Sequence, residues 1–256
     1  MPWKERIERH RQIVEWEARD IPPDLMLAII EHESNGTIGR AGERGTKCAM
    51  VPTAEGGELQ VCQAYGLTQL HPRTVVSWNQ VREPTVYWED ISGKDERAAR
   101  LQVRLGAWYF AHSVKALNQY DPQSFPEKSA AKADSNQLKL ALMAYARGWG
   151  ALKEKLDELR KAGKPLTAYQ IAQSFPNWGR RKDGTWVNRP VHYAETVWGR
   201  YEENQTASRP SNSGGPKLPQ LLPSKDSGWI VPLGAMAVLL ASKYGLLERL
   251  LKGKWA

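Results

Sequence analysis

The stretch "LAIIEHESNG", residues 27–36, is more apolar than a surface helix needs to be, yet it closes on two glutamates and a histidine. On a wheel turning about 100° per residue, with Ile29 as origin, Leu25, Met26, Ile30 and Glu33 fall in one broad arc with Glu33 near its middle. Glu31 points almost oppositely, and His32 lies at the edge. One glutamate is therefore expected in solvent and the other on an apolar floor. A carboxyl desolvated in that way has a raised pKa and stays protonated near neutrality, the condition for a general acid. The alternative is a glutamate paired with an arginine, or one reaching water from a frayed helix end. The stretch alone does not decide between them.

Upstream, Trp3, Ile7, His10 and Val14 recur at helical spacing and predict an amphipathic lead-in helix over 3–19. Asp20 is expected to cap the next helix, whose prolines 22 and 23 sit where a helix has no partner for an N–H, and which runs to Ser34. Glycines 36, 39, 42 and 45 then open a loop. Residues 46–63 read as two short strands joined by a Gly-Gly turn, an excursion without a core of its own. A disulfide between Cys48 and Cys62 would stabilise it by roughly 3 kcal/mol. Two free thiols are the alternative; no second ligand pair accompanies them, so no metal site is expected.

Further helices are expected from Pro72, over 95–119 with Leu101, Leu105, Trp108, Tyr109 and His112 along one side, and over 138–156, where Gly148 and Gly150 would let backbones approach closely. Shorter ones are expected at 165–175 and 190–204. The fold class is mainly α, one domain over 1–203 with a small β-hairpin insertion. Residues 204–227, rich in Pro, Ser and Gly, read as a linker. Residues 228–256 predict a C-terminal hydrophobic helix: an apolar run to Ser242, then Lys243, with Arg249, Lys252 and Lys254 beyond. Anchoring in a membrane is the expectation, with docking on a partner protein or on the chain's own domain as alternatives.

A net charge of +8 draws the chain to polyanions such as nucleic acid, anionic lipid or the acidic bacterial wall. No basic run interleaved with aromatics, no zinc finger and no helix-turn-helix pattern is present, so no specific nucleic-acid partner is expected. Eleven tryptophans and nine tyrosines against three phenylalanines suit a sugar-binding groove as well as an ordinary core. The amino-terminal "MPWKERIERHRQ" lacks the apolar run of a secretory leader.

Five segments in order carry a resemblance. "IPPDLMLAIIEHES", "AYGLTQLHP", "RLQVRLGAWYF", "LALMAYARGWG" and "VHYAETVWGRY" resemble the successive motifs of the lytic transglycosylase and goose-type lysozyme superfamily over residues 20–203. The resemblance implies an all-α, lysozyme-like domain that cuts peptidoglycan without a cofactor. It places Glu33 as the single catalytic acid and base, followed by Ser34 as the first of the substrate-binding residues. Gly66 and Gln69 fall in the loop lining the cleft, with Gln69 bonding sugar or the catalytic carboxyl. His71 falls beside the scissile region, Tyr145 orients Glu33 or the N-acetyl group, and Glu195 lies on a helix facing the cleft. Two positions depart from the pattern: Ala146 stands where an Asn usually follows the tyrosine, and Gln102 where an Asn often precedes the glycine helix.

The implied reaction breaks the β-1,4 bond between N-acetylmuramic acid and N-acetylglucosamine and leaves a 1,6-anhydro end. The alternative within the fold is a goose-type hydrolase, with Glu43, Glu55 or Glu58 of the inserted loop activating water. A third reading is an inactive, membrane-held wall-binding protein. Without a leader, the expectation is a bacteriophage virion enzyme, partnered by peptidoglycan, a membrane and other virion proteins. The alternative is a bacterial enzyme tail-anchored in the inner membrane or tied to a secretion machine.

Overall fold

The computed structural model of the chain describes residues 5–178 and 188–208, with the backbone alone at 43–47 and 207–208. The expected linker beyond 208 and the hydrophobic helix over 228–256 lie outside the described residues. Among the described residues, no helix is long and apolar enough to cross a membrane.

The quoted stretch forms the centre of the core. Helix α3 (Pro23–Ser34) is fully buried at every position from Leu25 to Ile30, so it is enclosed on all sides rather than along one stripe. Its amino-terminal cap is Pro22, not Asp20, and no side chain bonds the first N–H groups. The helix stops where Asn35 turns left-handed (φ 54°) and Gly36 follows at φ 73°; a Cβ on Gly36 would lie 2.8 Å from the Arg6 carbonyl and the Ile7 side chain.

The lead-in region is two helices, α1 (Glu5–Glu8) and α2 (Arg11–Glu17), where one was expected. The break falls at Arg9 and His10, where the His10 N–H turns to the Ile7 carbonyl three residues back (3.0 Å); both side chains there reach the Gly36 carbonyl at the end of α3, Arg9 Nη2 at 2.9 Å and His10 Nε2 at 3.0 Å.

Strands β1 (Ala41–Pro52) and β2 (Glu58–Tyr65) pair antiparallel, with Val51 opposite Leu59 and Ala49 opposite Val61. Cys48 and Cys62 are joined by a disulfide. The hairpin does have a core to rest on: Val51 and Val61 pack with Leu70, Val75, Val86 and Trp88 in a satellite cluster beside the main one. Helix α4 (Pro72–Asn79) and the short α5 (Trp88–Ser92) complete that side.

Helix α6 (Glu96–Tyr120) crosses the domain, and α7 (Ser135–Arg147) packs on it. Where one helix was expected over 138–156, Gly148 at φ 94°, ψ 144° separates α7 from α8 (Trp149–Lys161). Neither Gly148 nor Gly150 allows a close approach, since a Cβ on either would meet nothing within 4 Å; Gly148 is needed for its backbone angles. Helices α9 (Ala168–Ser174) and α10 (Arg189–Ser208) close the described domain. Residues 204–208 are thus helical and not linker, with Asn204 buried and its amide donating to the Arg200 carbonyl.

Candidate active site

Glu33 stands one helical turn beyond the fully buried Ile29, in the last turn of α3. Its Oε1 accepts a 2.7 Å hydrogen bond from the Tyr193 hydroxyl on α10. Burial pushes the Glu33 carboxyl up to about 7; the Tyr193 hydrogen bond and the charge of Arg40 oppose the rise without cancelling it. Burial and the neighbouring carboxylate drive the Tyr193 hydroxyl far above its ordinary value, so it stays a donor. His32 meets the Tyr193 ring edge-on at 4.7 Å. Burial, with Arg200 and His192 adding to it, lowers its imidazole to about 4, which leaves it neutral at physiological pH.

Tyr193 stacks on Tyr145 of α7, with ring centroids 6.3 Å apart and planes 21° from parallel. The Tyr145 hydroxyl donates to the Thr68 carbonyl at 2.8 Å, which ties α7 to the loop following the hairpin. That loop is held from beneath by α6. Gln102 is fully buried; its Oε1 accepts from the Leu67 N–H and its Nε2 donates to the Ile91 carbonyl, each at 2.8 Å. Gly66, at φ 83°, fits only because it lacks a side chain: a Cβ would sit 2.2 Å from the Gln102 Cδ. Gly106 plays the matching part on α6, admitting the Thr68 side chain rather than a second helix.

Two recesses meet over Ala146, Arg147 and Arg189. One, of about 450 Å³, holds Glu33, His32, His192 and Tyr193. The other, of about 690 Å³, is lined by Gln69, His71, Thr74, Tyr109 and Tyr145. Among the described residues lining the pair, Glu33 is the only carboxylate.

Of the residues singled out in the sequence, Glu33, Gln69, His71 and Tyr145 line this trench and Gly66 shapes its floor. Gln69, left-handed at φ 46°, turns its amide to the carbonyls of Arg40 (2.9 Å) and Gly66 (3.0 Å) rather than to Glu33. His71 caps α4, its Nδ1 accepting from the Arg73 N–H at 3.2 Å. Tyr145 bonds Thr68, so the hydroxyl that orients Glu33 belongs to Tyr193 instead.

Two placements need correction. Ser34 is fully buried, with its hydroxyl donating to the Ile30 carbonyl at 3.1 Å, because it lies about 100° around the helix from Glu33. Glu195 is exposed and lines neither recess. It is about 200° around α10 from Tyr193, the residue on that helix which does reach the site. The signal for Tyr193 was present in the sequence: Tyr193, Ala194, Val197 and Trp198 share a helical face and are buried, and Glu195 falls off it.

The transglycosylase SLT domain model matches residues 13–167, more than half of the chain. The chain belongs to the transglycosylase SLT domain family. A search of curated proteins finds no match. The SLT domain match takes in α3 with Glu33, the loop at 66–69, and α6 and α7 with Tyr145; α10, which brings Tyr193, lies beyond it. As an SLT domain protein, the chain is of the lytic transglycosylase type, degrading peptidoglycan by cleavage of its glycan.

Proposed function

We propose that this SLT domain protein cleaves the β-1,4 bond between N-acetylmuramic acid and N-acetylglucosamine, with Glu33 serving in turn as acid and base. The observation that carries this reading is the one carboxyl among the described residues lining the trench, held up to about 7 and bonded by a tyrosine that favours its ionised form. A group poised near the working pH is suited to giving a proton in one step and taking one in the next. In the first step the Glu33 proton passes to the glycosidic oxygen, the bond from that oxygen to C1 breaks, and N-acetylglucosamine leaves with a free hydroxyl. The muramoyl N-acetyl oxygen stabilises the cationic C1. Glu33, now a carboxylate, removes the proton of the same sugar's C6 hydroxyl, whose oxygen closes on C1. The proton count returns to its start and no water is consumed.

A hydrolase would need a second carboxylate to activate water. Glu55 and Glu58 are exposed on the hairpin and line neither recess, and the side chain of Glu43 lies outside the described residues. Digesting purified sacculi with wild type and Glu33→Gln tests the assignment: loss of muropeptide release in the variant supports it, and unchanged release removes Glu33 from the mechanism.

In the same reading the enzyme is carried by a bacteriophage particle and opens the wall locally at entry, held to a membrane by the apolar stretch from residue 228. A Pro-, Ser- and Gly-rich linker over 209–227 would reach roughly 22 to 26 Å as a flexible coil. Detection of the chain in purified particles supports this placing, and its confinement to host cytosol contradicts it.

A further inference from the structure

Resting on that reading, the inference concerns which glycan the trench takes. The glycan backbone of peptidoglycan is uncharged, and its anionic groups are the carboxylates of the peptide stems carried by each muramoyl unit. The walls around Glu33 carry the opposite sign. Arg147 lines both recesses at their junction, Arg73 lines the larger one, and Arg40 lies near enough for its charge to act on the Glu33 carboxyl. Among the described residues lining the recesses there is no carboxylate but Glu33, which is protonated below about pH 7. Arg147 is exposed and makes no ion pair among the described residues, unlike Arg11, Arg97, Arg100, Arg104 and Arg160, which are each paired with a carboxylate. It follows Ala146, which is exposed at the same junction and adds only a methyl group there.

We infer that Arg147 is a specificity-determining residue, which receives a stem-peptide carboxylate of the muramoyl unit at the scissile bond. The trench therefore selects peptide-bearing glycan over bare glycan. A guanidinium reaching a carboxylate at a half-open site makes a charge-assisted hydrogen bond that geometry sharpens and salt weakens.

The test compares two substrates from one preparation of sacculi stripped of phosphate-containing wall polymers: strands with stems intact, and strands from which an amidase has removed them, with the lactyl carboxylate that the amidase frees on each muramoyl unit then capped as a methylamide. With wild type, kcat/KM is expected to be higher on the stem-bearing strands, and the advantage to shrink as ionic strength rises. Arg147→Ala should lower the ratio of the two kcat/KM values about tenfold, mainly through KM, with Arg147→Lys falling in between and Arg147→Glu falling furthest. Thermal unfolding of each variant shows that the fold is kept. Equal cleavage of the two substrates by wild type, or an unchanged ratio in Arg147→Ala, overturns the inference while leaving Glu33 and its reaction in place. Failure of wild type to cleave either substrate overturns the proposed function itself, and this inference with it.

Discussion

The Tyr193 hydroxyl and the Glu33 carboxyl, 160 residues apart in the chain, share a 2.7 Å hydrogen bond that joins the last described helix to the most buried one. The bond favours the ionised carboxyl and so offsets part of the rise that burial imposes. Tyr193→Phe removes that support. In the proposed reaction protonated Glu33 starts the cleavage, so kcat/KM of wild type should fall as pH rises through about 7. In Tyr193→Phe that basic limb should move up by about one pH unit, the size of a hydrogen bond to a charged group. A limb that stays in place would show that Tyr193 does not act on the acid.

The same burial makes Glu33 a liability for stability. Its pKa is about 7 in the fold against 4.5 unperturbed, so the folded state binds the proton more tightly. Stability from this group is complete below about pH 4.5 and is lost as pH rises toward about 7, amounting to about 3 kcal/mol. Glu33→Gln cannot ionise and escapes the loss. Urea unfolding should show the variant and wild type changing in parallel below pH 4.5, with the variant gaining on wild type by that order at pH 8. A constant difference across the range would contradict the raised pKa.

The sequence makes the central helix and its acid legible because a wheel of 3.6 residues per turn sets Glu33 among aliphatic neighbours, and the buried run from Leu25 to Ile30 bears this out as packing. The hairpin was legible from its Gly-Gly turn and cysteine pair. The break at Gly148 was not, since apolar spacing continues on both sides and a lone glycine is tolerated within helices. The split at His10 was also hidden, because apolar spacing runs through it and the Gly36 carbonyl that the His10 side chain meets there is brought near only by tertiary structure. Motif likeness drew attention to Glu195, whereas the buried face of α10 carries Tyr193.

Gly66 has no room for a methyl group. A Cβ would lie 2.2 Å from the Gln102 Cδ, and the residue's φ of 83° already disfavours any L side chain. Gly66→Ala should destabilise by about 3 kcal/mol, from overpacking and backbone strain together, and should lower activity by displacing the loop that Tyr145 and Gln69 share. Chemical denaturation measures the first effect and sacculus digestion the second. A variant of wild-type stability would mean that the Gln102 clamp yields freely.

The Cys48–Cys62 bridge closes a loop of 14 residues. Replacing both cysteines with serine should cost roughly 3 kcal/mol if the hairpin unfolds together with the domain. The satellite cluster that holds Val51 and Val61 predicts that it does. Unfolding of the variant should remain a single transition at a lower midpoint; a separate early transition would show the hairpin to be an independent unit.

In the proposed reaction one carboxyl, Glu33, makes both proton transfers and no water is consumed. Digesting sacculi in water enriched in heavy oxygen and weighing the new muramoyl ends tests that most directly. The prediction is ends lighter by one water than the reducing sugar and free of the heavy isotope. Reducing ends that carry the label would show that water attacks C1 and would contradict the account.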